Sequence, residues 1–177
     1  MIAELILTGL MIQNLNKISG EKAMLSNYEA EQCEFYGISQ EEFRHSILTI
    51  DGDRAYITDD EIALLERVVM SEAGNQSVEC QEAVATVILN RWQCKDKFAD
   101  TIEGVVFAPN QFSTHDNGEP TVSVRVAVYN AIVYYNTACM NIPYQIYYFR
   151  SGHYHNFGTP YQCIDDLYFS GPADMVL

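Results

Sequence analysis

From residue 58 onward the apolar positions of this chain recur with a helical period, whereas upstream the signals are short and local. Ile62, Leu65, Val68, Val69 and Ala73 fall on one side of a 3.6-residue wheel. Asp59, Asp60 and Glu61 before them suit a helix N-terminus, and Gly74 follows them, so the spacing predicts a helix over about 60–73. Ser77 is placed to cap a second helix whose stripe Cys80, Val84, Val87 and Ile88 runs to about Arg91. Asp100 with Glu103 predicts the cap of a short third helix that stops before Pro109. After a polar loop over 113–120, the face Val124, Ala127, Val128, Ala131, Ile132 and Tyr135 predicts a fourth helix. The aromatic runs Ile146 to Phe149 and Cys163 to Phe169 are expected to pair as strands around a loop rich in glycine.

Upstream, a short helix is expected to stop at Gly37, and Ser39 with Glu42 forms the capping box of another. Leu48 to Ile50 and Arg54 to Ile57 flank Asp51-Gly52-Asp53 as the arms of a hairpin. A calcium loop is disfavoured there because the remaining ligands at EF-hand spacing are absent. These elements predict an α+β fold, mostly helical, with a small antiparallel sheet near the C-terminus. The change of character near residue 60 divides the chain into an acidic extension, 1–57, and a domain, 58–177.

Composition narrows the partners. A chain of 177 residues with 48% apolar content is long enough for one core and short for two. A net charge of −14 would repel nucleic acid, so none is expected as a partner. The apolar run of the first twelve residues is broken by Glu4, is preceded by no Lys or Arg, and is too short to span a bilayer. The expectation is a chain made in the cytoplasm without a clear signal peptide and with no integral membrane segment. Five scattered cysteines, Cys33, Cys80, Cys94, Cys139 and Cys163, form no C-x-x-C pair and are read as reduced thiols. His115, His153 and His155 lack a third ligand at fixed spacing, so no metal and no cofactor is expected.

One residue breaks the hydrophobic pattern. Glu72 falls between Val68 and Leu65 on the wheel, in the middle of the apolar stripe and two to three turns into the helix. Burial there would raise its pKa and keep it protonated near neutral pH, as a general acid requires. Two readings stay open at this point: an acid at a groove, with room made by Gly74, Asn75 and Gln76, or a carboxylate held by a buried arginine or meeting solvent at the helix end.

The run LLERVVMSEAGNQSVECQEAVATVILNR over 64–91 resembles the opening of the SleB/CwlJ-type cell wall hydrolases, the spore-cortex-lytic enzymes. The likeness continues through Thr101-Ile102-Glu103-Gly104-Val105-Val106, Pro109-Asn110-Gln111-Phe112-Ser113, an alanine-containing helix and aromatic strands closing on Ile164 and Phe169. Where relatives commonly carry I-G-x-H-x-F, this chain has Ile164-Asp165-Asp166-Leu167-Tyr168-Phe169. The resemblance implies a lysozyme-like fold, peptidoglycan as partner, action at the bacterial cell wall or spore cortex, and lytic transglycosylase chemistry with Glu72 as the acid/base. It also implies that Gln111, Phe112 and Ser113 line the substrate groove. Tyr147 and Tyr148 are further candidates there, since an alternating pair in a strand turns one ring outward and tyrosine offers both a stacking face and a hydroxyl.

A transglycosylase needs one carboxyl group, whereas a water-using muramidase on the same bond needs a second. Asp116 and Glu119 in the polar loop are the candidates for that second group. A catalytically inactive wall-binding or structural component is the remaining alternative, disfavoured because an unused buried acid costs stability. Oligomeric state is not encoded in any feature of the sequence.

Overall fold

The computed structural model describes residues 30, 31, 33, 34, 37–49, 52–113, 118–137 and 145–173. By its contacts the chain divides into two compact units, Met1–Arg44 and His45–Leu177.

The described part of the first unit is a lesson in helix ends. Gly37 takes φ 66°, with Ile38 N–H donating to Cys33 O at 3.0 Å and Gly37 N–H to Glu34 O at 3.4 Å, the paired bonds by which a left-handed glycine closes a helix. Helix α1 (Gln40–Arg44) follows, with Glu42 N–H donating to Ser39 Oγ at 3.1 Å as the capping box predicts.

The second unit opens with the hairpin of β1 (Ser46–Leu48) and β2 (Arg54–Tyr56), antiparallel with Ile47 opposite Ala55. This hairpin is part of the unit's core and not of an extension. Ile47 and Ile57 are fully buried in the same cluster as Leu65, Val84 and Ile132. Arg54 donates to Asn136 Oδ1 at 3.1 Å, and Asn136 in turn donates to Ser46 O at 2.7 Å. The compact unit includes this hairpin because Ile47 in β1 and Ile57 just past β2 reach the core, with no helical period to announce them.

Helix α2 (Asp59–Ala73) begins on a complete capping box, Thr58 with Glu61, and buries Leu65, Val68, Val69 and Ala73. Helix α3 (Val78–Gln93), capped by Ser77, is the central element: twelve of its residues are buried, which makes its apolar surface far wider than a stripe. Helix α4 (Ile102–Val106) is capped by Thr101, whose hydroxyl accepts from Gly104 N–H at 3.0 Å, and not by Asp100 as expected. Threonine with extended backbone one residue later satisfies the same orphan donors. Helix α5 (Val122–Thr137) packs along α3 and α2. No helix among the described residues is long and apolar enough to cross a membrane.

The C-terminal sheet has the order β3 (Tyr148–Ser151), β5 (Leu167–Gly171), β4 (Thr159–Ile164), antiparallel throughout. Phe149 lies opposite Phe169, so the expected pairing of these two aromatic runs is present. The run 163–169 is not one strand, however. It turns over at Asp165-Asp166, where Asp165 takes φ 49°. The Asp165 carboxylate accepts from Ser77 N–H at 2.8 Å, fastening the turn to the start of α3 and offsetting the strain of a left-handed non-glycine residue.

Candidate active site

Glu72 lies in the last turn of α2, half-buried beside Val68, Val69 and Ala73. Its Oε1 accepts a short hydrogen bond from Ser113 N–H. Among the described residues no cation pairs with it, so the reading of a carboxylate held by a buried arginine does not apply. Burial pushes its pKa up from the ordinary carboxylate range, and the Ser113 N–H, which favours the charged form, pulls back against that rise. The helix stops one residue later, and Gln81 holds the stop in place. This fully buried side chain donates from Nε2 to Ala73 O at 3.1 Å and Gln76 O at 3.1 Å, tying the last residue of α2, whose carbonyl also accepts from Gln76 N–H at 3.0 Å, to the loop that follows it.

The donor to Glu72 comes from a turn that the sequence Pro109-Asn110-Gln111 dictates. Proline fixes φ at the first central position, Asn110 adopts φ 60° at the second, and Gln111 N–H closes the turn on Ala108 O at 3.2 Å. The chain leaves this turn as Gln111-Phe112-Ser113, and the three residues have separate partners. The exposed Gln111 accepts from Arg91 Nη1 through Oε1 at 2.9 Å. Phe112, half-buried, packs on the core and meets Phe149 at 6.0 Å between ring centroids. Ser113 reaches Glu72.

Arg91 and its neighbour Asn90 are the residues that sequence reasoning passed over. Arg91 is 4% exposed and donates from Nε to Tyr147 O at 2.7 Å, while Asn90 donates to Ile146 O at 2.8 Å. Together they fix the entry to β3. The guanidinium lies 4.9 Å from the Phe112 ring centre, 5.2 Å from Phe98 and 5.5 Å from Tyr148. Desolvation lowers its pKa to about 10, which leaves it charged at neutral pH. The signal was available: Arg91 continues the stripe Val84, Val87, Ile88 by three and four residues, the same violation that marks Glu72.

The two candidate tyrosines both stand at this cluster, half-buried. Tyr147 stacks on Phe98 at 5.9 Å and 6°, and Tyr148 meets the edge of Phe157 at 5.1 Å. Gln111, Phe112, Ser113, Tyr147 and Tyr148 are thus linked through Arg91 and Phe98, with Glu72 joined to them at Ser113. The other candidates fall elsewhere. Glu119 is exposed and lies 3.7 Å from Arg125, while Asp116 and His115 lie outside the described residues. His155 approaches Phe149 O at 3.2 Å, and Trp92 closes a core edge with its indole N–H on Asp100 O. Cys80, Cys94 and Cys163 are free thiols, Cys33 is buried, and Cys139 lies outside the described residues.

Residues 75–165, just over half of the chain, match the cell wall hydrolase family. The chain belongs to that family. A spore cortex-lytic enzyme of Oceanobacillus iheyensis is 41% identical over 76 residues, covering 41% of this chain and 27% of the relative, so the chain matches little more than a quarter of that protein's length. In solved structures, the catalytic domain of the Bacillus cereus SleB protein superposes with a TM-score of 0.53 at 23% identity, covering 64% of this chain and 91% of that domain. The catalytic domain of the germination-specific lytic transglycosylase SleB from Bacillus anthracis gives 0.52, with 64% and 95% covered. At that identity the likeness establishes the fold, an α+β domain of the SleB type with a small antiparallel sheet near its C-terminus. The family match in this cell wall hydrolase includes Arg91, Gln111, Phe112, Ser113, Tyr147 and Tyr148, and begins three residues after Glu72.

Proposed function

We propose that this protein cleaves the glycan strands of bacterial peptidoglycan as a lytic transglycosylase, with Glu72 as its acid/base. The observation that carries the reading is a single half-buried carboxyl group on an apolar helix face, opposed by no cation among the described residues and held by one backbone N–H. Desolvation favours the acid that donates a proton, and the Ser113 N–H favours the carboxylate that takes one back. Such a group can do both halves of a transglycosylation. Protonated Glu72 gives its proton to the bridging oxygen as the bond from that oxygen to C1 of the muramic acid sugar breaks. The carboxylate then removes the proton of the C6 hydroxyl, whose oxygen bonds to C1 and closes a 1,6-anhydro ring. No water is consumed. Gln111, Phe112, Ser113, Tyr147 and Tyr148 would line the groove, the tyrosines by stacking and hydrogen bonding, a binding mode that suits a protein of net charge −14 on an anionic wall.

The kinship with a spore cortex-lytic enzyme and the fold shared with a germination-specific lytic transglycosylase support the substrate class and the reaction. A water-using muramidase would need a second carboxylate, and Glu119, 94% exposed at its side chain, has none of the burial of Glu72. Mass spectrometry of fragments released from purified peptidoglycan in heavy-oxygen water separates the two. Unlabelled 1,6-anhydro-muramic acid ends, one water lighter than hydrolytic products, are expected. Labelled reducing ends would establish hydrolysis and turn the search to Asp116 and Glu119. The raised pKa of Glu72 also fixes a direction: activity should decline as pH rises through its folded-state value, because the donor form is lost.

A further inference from the structure

A guanidinium that is 4% exposed and meets no carboxylate among the described residues is an expensive way to hold two carbonyl groups. Its neighbour Asn90 captures Ile146 O with a neutral amide. Arg91 reaches in two directions at once through its planar fork. Nε holds Tyr147 O at the entry to β3 while Nη1 holds the side chain of Gln111 at 2.9 Å, across the end of α3. Three aromatic rings within 5.5 Å of its central carbon offset part of the lost hydration and confine the plane. One of those rings is Phe112, so Arg91 touches two consecutive residues of the segment whose third residue donates to Glu72.

We propose that Arg91 is a positioning residue for Glu72: by gripping Gln111 and Phe112 it fixes the backbone of this segment so that the Ser113 N–H stays on Glu72 Oε1. The inference rests on the reading of Glu72 as acid/base. Its action runs through the backbone and not through charge, since burial and the Ser113 N–H are the groups that set the Glu72 proton affinity, and no charged side chain among the described residues contributes. A loosened segment weakens the bond that favours the carboxylate, which must raise the pKa of Glu72 further.

The test follows that proton. In protein labelled with carbon-13 at the glutamate carboxyl groups, the Glu72 signal is identified by its loss in Glu72→Gln, and its titration midpoint is compared in wild type, Arg91→Lys, Gln111→Ala and the double variant. Lysine keeps the charge but cannot bridge both acceptors. Gln111→Ala breaks the same contact from an exposed position, so it carries the experiment if Arg91→Lys fails to fold. The expected result is a midpoint raised by about half to one pH unit in each single variant and no further in the double, the sign of one shared path. In Arg91→Lys kcat should fall about tenfold with KM changed far less, because geometry at the proton donor is lost while the groove remains. An unchanged midpoint in the folded variants overturns the proposal and leaves Arg91 as packing. If the midpoint moves as expected but folded Glu72→Gln retains activity, the positioning stands and the assignment of Glu72 as acid/base fails.

Discussion

Two half-buried carboxyl groups in this molecule differ in a way that separates burial from chemistry. Glu82, on α3, is the deeper. It lines a small cleft with Glu79, Ile146, Tyr161, Ile164 and Phe169, and Asn130 donates to its Oε2 at 3.3 Å. Desolvation raises its pKa to about 7, opposed by the Asn130 hydrogen bond and assisted by the charge of Glu79. Glu72 is shallower, yet it stands at the end of a helix, beside a turn that delivers a backbone donor and a cluster of aromatic rings joined to that turn through Arg91. Depth of burial by itself would choose Glu82. The arrangement of donors and aromatic rings is the reason Glu72 is the proposed acid/base. A perturbed pKa reports that a carboxyl group has lost water, and only the groups around it say whether something other than water is meant to replace it.

The largest expected difference between the two is in turnover. Glu72→Gln keeps the shape of the side chain but cannot give and recover a proton, so cleavage should fall on the order of 10²- to 10⁴-fold in a protein whose circular dichroism is unchanged. Glu82→Gln should leave the rate within about threefold, since it changes no proton at the proposed site. Reversal of that order in a muropeptide-release assay would move the chemistry to the other cleft.

Stability should show the opposite ranking. The folded pKa of Glu82 is raised, from 4.5 to about 7, so the fold is favoured most below 4.5, where the group is protonated in both states. That advantage is lost as pH rises to about 7, and above it the charged, desolvated carboxylate weighs fully against folding. Glu82→Gln removes the charge, and denaturant unfolding at pH 8 should find the variant more stable than wild type by roughly 2 to 3 kcal/mol, with little difference at pH 4. Equal stabilities at pH 8 would mean that the carboxyl group finds water or a cation in the native state. Smaller again is the support behind Glu72. Gln81→Met should lower stability by about 1 to 2 kcal/mol by removing the side-chain donor to Gln76 O and one of the two donors to Ala73 O, and should lower cleavage as well, because the end of α2 carries the proposed acid. A loss of stability with full activity would show that the helix end tolerates movement that the proton donor does not feel.

The sequence by itself determined the elements whose signals are local. Helices α2, α3 and α5, the caps Ser77 and Ser39, and the off-pattern Glu72 follow from hydrogen bonds and periodicities that span a few residues. The turn before Gln111 is equally local, since a proline followed by a left-handed asparagine makes it. Tertiary structure decided the rest. The hairpin β1–β2 joined the core through Ile47, Ile57 and the Arg54–Asn136 contact, which links residues 82 positions apart. The strand order placed β5 in the centre and split the last aromatic run at Asp165, whose carboxylate found Ser77 across 88 positions. The partial burial of Glu82 escaped a stripe argument because α3 is covered by α2, α4, α5 and β3, and a helix surrounded on most sides has no polar face to read against. Periodicity reports one interface at a time, so what lies at the meeting of several is settled only when the chain has folded.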